Sequence, residues 1–205
     1  MMNNKPAWYN NPIMKCVYLF FAQLGSAVIE EEYNSITLHQ ETRMAEINFY
    51  DYEEYGILEL SIVSTRTGDM KFYLHMEAVD EEDTEEAVKA FLETWNCGNE
   101  SIAPLEDLNG HDLRILLVCT SGITSGLFAQ CMQTMLNDQG SSSRVEAKSI
   151  SELADLCPQC YDRILLTPQV GYYYEDVTGR FGNKVQKINT RDFATMNVSN
   201  VIRAL

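Results

Sequence analysis

Leu113-Arg114-Ile115-Leu116-Leu117-Val118-Cys119-Thr120-Ser121-Gly122-Ile123-Thr124-Ser125-Gly126-Leu127 is the stretch on which the fold turns. Its first part is a nearly unbroken apolar run, the pattern of a strand buried on both faces. A loop of small residues follows Cys119, and the spacing predicts a helix over 124–137 that ends near Gly140. Strand, small-residue loop and helix together aim several main-chain N–H groups at one point. The positive end of the helix dipole adds to them, so the loop suits an anion, phosphate above all. Gly122 and Gly126 are expected where a side chain would obstruct the backbone. Thr120, Ser121, Thr124 and Ser125 supply hydroxyls. Donors around Cys119 would favour its thiolate, the reactive form of sulfur. The bland alternative is a buried cysteine beside an ordinary turn.

Spacing separates this loop from its competitors. A Walker loop needs Gly-Lys-Ser/Thr, and no lysine is present. A dinucleotide fingerprint needs three glycines at fixed spacing. A tyrosine-phosphatase loop places Arg six residues after its Cys, where this chain has Ser125, so the bidentate clamp is missing. Hydrolysis is disfavoured, whereas holding a phosphoryl group on sulfur is not.

Outward from this loop, residues 107–205 alternate strand and helix. Strands are expected at 144–149, 163–167 and 185–188. A short helix capped by Ser151 is expected before Pro158, a helical or irregular stretch over 170–181, and a closing helix over 197–205. This alternation implies a parallel sheet with helices on both faces, whose ligand lies beyond the carboxyl ends of the strands.

The segment 113–205 resembles the IIB phosphocarrier of the lactose/cellobiose-type sugar phosphotransferase system. The resemblance rests on the Cys119 segment, on Ser149-Ile150-Ser151-Glu152-Leu153, on Arg163-Ile164-Leu165-Leu166-Thr167-Pro168-Gln169-Val170, and on Arg191-Asp192-Phe193-Ala194-Thr195-Met196-Asn197, in that order. It implies a four-stranded parallel sheet flanked by helices, of the IIB or low-molecular-weight phosphatase-like kind. It also implies a catalytic Cys119 that accepts a phosphoryl group from a phosphohistidine of a IIA protein and passes it to a sugar bound at a IIC permease. Thr120, Ser121, Gly122, Ile123, Thr124, Ser125 and Gly126 would form the phosphate cradle, with Pro168, Gln169 and Tyr172 at its edge. The chain departs from the family pattern at Gly126, where a last hydroxyl is usual, and at Gly171, where an arginine is frequent. An alternative is a regulatory module outside transport, using the same domain to sense phosphate or the state of the phosphotransferase system.

The first half differs in kind. Residues 1–106 hold 6 Lys+Arg against 20 Asp+Glu, and residues 107–205 hold 9 against 10, so the net charge of −15 is almost all in the first half. That asymmetry implies two domains, 1–106 and 107–205, with a linker at 96–111. An acidic α+β domain with an antiparallel sheet is expected: strands at 35–39, 44–50, 57–64 and 70–77, then a helix over 84–95. That helix would bury Val88, Phe91, Leu92 and Trp95 and be capped by Asp83 or Thr84. The apolar run 13–24 contains Lys15 and is followed by Gly25-Ser26-Ala27, a faint imitation of a secretory signal. It reads instead as a buried strand.

Composition excludes several classes. No basic patch suits nucleic acid. No apolar run reaches the roughly 18–20 residues of a membrane span, so no direct insertion is expected and the reading is cytoplasmic, with the six cysteines reduced. No cofactor or metal is expected. Cys157-Pro158-Gln159-Cys160 is a single pair placed after a helix and before a strand, which argues against zinc or redox chemistry. Cys131, His39, His75 and His111 read as structural, and the acidic run 80–86 does not match a calcium loop.

Overall fold

The computed structural model describes residues 6–25, 27–30, 34–52, 55–97, 112–120 and 123–205. Two compact units divide the chain, Met1–Asn99 and Glu100–Leu205. The expected linker falls mostly outside the described residues, and at its start the chain is still helical through Cys97.

The first unit is an antiparallel meander. Strands β1 (Ala27–Glu30), β2 (Ser35–His39), β3 (Arg43–Tyr52), β4 (Tyr55–Ser64) and β5 (Met70–Glu77) pair in sequence order. Period-two alternation sends Ile36, Leu38, Ala45, Ile47, Phe49, Leu58, Leu60, Ile62, Phe72, Leu74 and Met76 into the core. The opposite face is polar. There Glu59 accepts hydrogen bonds from Asn48 Nδ2 at 3.1 Å, Tyr73 Oη at 3.1 Å and Tyr50 Oη at 3.4 Å across three strands.

Two helices cover the apolar face. The run expected as a strand is helix α1 (Pro12–Ala22). Its cause is local: the Asn11 side chain accepts from the N–H groups of Ile13 and Met14, and Pro12 occupies the first helical position. Met14, Val17 and Phe21, three and four residues apart, are the buried positions. Helix α2 (Glu81–Cys97) starts earlier than expected. Asp80 caps it through the Asp83 N–H at 2.9 Å, so Asp83 and Thr84 lie inside the first turn rather than before it. Its buried face is also rotated. Ala87, Ala90, Phe91, Thr94 and Trp95 meet the sheet, because small alanines allow close approach, while Val88 and Leu92 are half-buried. Phe91 sits edge-on to Phe21 at 5.5 Å and to Phe72 at 5.6 Å.

The second unit is a four-stranded parallel sheet of order β7-β6-β8-β9, made by β6 (Arg114–Cys119), β7 (Arg144–Ser149), β8 (Arg163–Leu166) and β9 (Val185–Lys187). Helix α3 (Ile123–Asp138) joins β6 to β7. A 3-10 segment, Ile150–Asp155, follows β7. A second, Pro168–Tyr173, leads into α4 (Tyr174–Phe181), and α5 (Thr190–Ala194) and α6 (Val198–Arg203) follow β9. One face of the sheet is a cluster of Leu116, Val118, Ile164, Leu166 and Val185 with Leu153, Val170, Val177 and Phe181. Ile115, Leu117 and Leu165, the alternate residues, are equally buried; α3 packs against α6, and Phe128 of α3 lies 5.2 Å from Phe193 of α5, centroid to centroid. This is the expected helix-flanked architecture. The cap of the segment after β7 is Ser149 rather than Ser151. The Ser149 side chain accepts from the Ser151 N–H, and Glu152 reaches back to the Ser149 N–H at 2.9 Å.

Candidate functional site

The strand order makes the site. The connection after β6 leads to β7 on one side, and β8 then pairs on the other side of β6. The crevice at the carboxyl ends of β6 and β8 is therefore a switch point, where open α/β sheets receive ligands. Cys119 is the last residue of β6, in register with Ser149 at the end of β7.

Cys119 is 1% exposed. Its surroundings are not purely apolar. Ser125, itself 1% exposed and in the first turn of α3, donates its hydroxyl to Cys119 Sγ at 2.5 Å. The sulfur also faces the Lys148 carbonyl oxygen at 3.8 Å, where the thiol is the donor. A hydroxyl donor on one side and a carbonyl acceptor on the other suit a sulfur that exchanges a proton. The backbone beside it is clasped to β7: Ser149 Oγ donates to the Thr120 carbonyl at 2.8 Å and lies 2.9 Å from Ser151 Oγ.

Of the expected cradle, Thr120 follows the strand directly, and Ser125 is brought onto the sulfur. Ser121 and Gly122 lie outside the described residues, as do the side chains of Ile123 and Thr124. Gly126 is inside α3, and a Cβ built there would meet nothing within 4 Å, so the expected steric need for glycine is absent at that position. At the expected edge, Pro168 is buried just past β8, Gln169 is half-buried, and the Tyr172 ring lies tilted against that of Tyr173, centroids 4.4 Å apart.

Sequence reading missed three contributors, Lys148, Ser149 and Thr167. Thr167 is fully buried at the end of β8. Its N–H donates to Val118 O at 3.0 Å, while its Oγ1 has no hydrogen-bond partner among the described residues. Lys148 and Ser149 are the last two residues of β7, and Thr167 directly follows β8, the two neighbours of β6, a signal available only once the strand order is known.

Residues 114–204 match the family model described as "PTS system, Lactose/Cellobiose specific IIB subunit". The segment that resembles a IIB domain in sequence is thus the one the family model covers, and the first unit lies outside it. Among solved structures, the chain is similar to the lactose-specific IIB component domain of the phosphoenolpyruvate:carbohydrate phosphotransferase system from Streptococcus pneumoniae. That likeness has 19% identity and a TM-score of 0.40, over 46% of this chain and 97% of that one. None of the curated proteins matches. No helix among the described residues is long and apolar enough to cross a membrane.

Proposed function

We propose that the second unit is a cytoplasmic IIB phosphocarrier. Cys119 accepts a phosphoryl group from a phosphohistidine of a IIA protein and passes it to a sugar held by a IIC permease. The observation that supports this reading is Cys119 at the carboxyl end of the central strand with the Ser125 hydroxyl on its sulfur, in a segment matched by the IIB family model. As the S–P bond forms, the N–P bond breaks, and the imidazole that leaves is a ready acceptor for the thiol proton. In the second transfer sulfur becomes the leaving group, and a donor such as Ser125 stabilises the thiolate released. Residues 120–126 are proposed as the cradle for the phosphoryl oxygens, with Pro168, Gln169 and Tyr172 at its rim.

Phosphoenolpyruvate with the general phosphotransferase proteins and a panel of IIA proteins tests this. Mass spectrometry is expected to find phosphate on Cys119, and Cys119→Ala is expected to abolish it.

One observation favours a second reading. Cys119 is nearly inaccessible, so a partner's phosphohistidine meets the sulfur only after its covering atoms move. A module that senses phosphate or binds a phosphotransferase partner without transferring needs no such movement, and Gly171, standing where the family often has an arginine, fits that role. Retained binding to a IIA protein without label on Cys119 would identify it.

A further inference from the structure

The Cys157-Pro158-Gln159-Cys160 stretch has no part in the proposed transfer. It lies in the turn before β8 and is tied to Arg114, the first residue of β6, whose last residue is Cys119. The Cys160 N–H donates to Cys157 O at 3.0 Å, closing a turn across three residues. A turn of this kind holds its outer α-carbons within about 7 Å, and a disulfide spans roughly 4.4–6.8 Å between them. The Cys157 thiol donates to Gln159 Oε1 at 3.0 Å, and both cysteines are exposed. The turn is also held from outside. Arg114 Nη2 donates to Gln159 O at 3.1 Å, and Lys184 Nζ donates to Pro158 O at 3.2 Å and Tyr161 O at 3.0 Å.

The two sulfurs are not equivalent. The Gln159 main-chain amide, then the Cys160 thiol, hold Cys157 below the ordinary thiol range, and the Arg114 guanidinium adds to this. Cys160 is raised, chiefly by the Cys157 thiol beside it. Among the described residues no group of three or more His, Cys, Asp or Glu is placed to hold a metal.

The placement of the pair before a strand argues against redox chemistry, but the closed turn brings the two residues together, and we propose that Cys157 and Cys160 form a redox-reversible dithiol that exchanges with small-molecule disulfides of the glutathione class, Cys157 attacking and Cys160 resolving. The Cys157 thiolate attacks one sulfur of the small disulfide. One S–S bond breaks, a mixed disulfide forms, and one small thiol leaves. Cys160 loses its proton and displaces the second small thiol, closing the Cys157–Cys160 bond. The protein pair gives up two electrons, and the small disulfide takes them up as two thiols. The reverse exchange with excess small thiol reopens the bond.

The full chain, equilibrated with reduced and oxidised glutathione across a range of ratios, acid-quenched and mapped by non-reducing mass spectrometry, tests this. An internal Cys157–Cys160 disulfide is expected to grow with the oxidised fraction and to vanish on reduction, while Cys119 stays a thiol. Cys160→Ser is expected to leave a persistent glutathione adduct on Cys157, and Cys157→Ser to lose the bridge with only slow adduct formation on Cys160. Both thiols remaining reduced at every ratio, pairing with Cys16 or Cys97 instead, or equal adduct formation in the two variants would overturn the proposal. Exposed serines are well tolerated, so each variant is expected to unfold at the parent temperature.

Discussion

Ser125 and Cys119 are six residues apart, and Ser125, in the first turn of α3, brings its hydroxyl to the sulfur. Ser125→Ala removes that donor. The expected cost is about 1 kcal/mol of stability, read by thermal unfolding, together with slower phosphorylation of Cys119. Gly126→Ala is expected to act the other way. The added methyl meets open space, and alanine in a helix interior is favoured over glycine by about 0.5–1 kcal/mol. Thr167→Val replaces a buried hydroxyl that lacks a partner by a methyl of similar size. Chemical denaturation is expected to show unchanged or higher stability; a large loss would mean the hydroxyl is engaged. At this scale the sequence made Cys119 and Ser125 legible, because they belong to one local motif. Lys148, Ser149 and Thr167 were not, because strand register, which no local pattern encodes, brings them to the site.

Helix α1 shows where the reading of elements went astray. Residues 13–24 are rich in aromatic and β-branched residues, so an apolar count favours a strand. The decisive signal was the Asn11-Pro12 pair, a cap followed by a pre-set first turn. Asn11→Ala is expected to destabilise the first unit by about 1 kcal/mol, measured as a lower denaturation midpoint. The remaining strands of both sheets were legible from alternation and from the apolar run of β6. The short β1 was not, because its burial pattern has no inward repeat. Sheet packing also sets a pH dependence. Burial, followed by Glu59, pushes Tyr73 up to about 12, and burial, followed by the hydrogen bond to Glu146, does the same for Tyr161. An unfolded tyrosine titrates near 10. Each folded pKa is raised, so the associated stability is intact below about pH 10 and is lost as pH rises toward about 12. Denaturant midpoints measured across that window are expected to fall, and Tyr73→Phe to flatten the fall.

At the scale of the whole molecule, contacts divide the chain into two units, Met1–Asn99 and Glu100–Leu205. The acidic first half has its own sheet and core, and the near-neutral second half has another. Residues 107–205 are accordingly expected to fold when produced alone, with the circular dichroism of a parallel α/β protein. What the first unit does was not legible: its alternation specifies a sheet and a core, and among its residues no pattern specifies a ligand. The central claim concerns the second unit and rests on one sulfur. Its most direct test is the site of phosphate in the intact protein after incubation with phosphoenolpyruvate, the general phosphotransferase proteins and IIA partners, located by mass spectrometry under conditions that preserve thiophosphate esters. Label on Cys119 that disappears in Cys119→Ala is the predicted result; an unlabelled Cys119 with every IIA protein, or label elsewhere that survives the substitution, would contradict it.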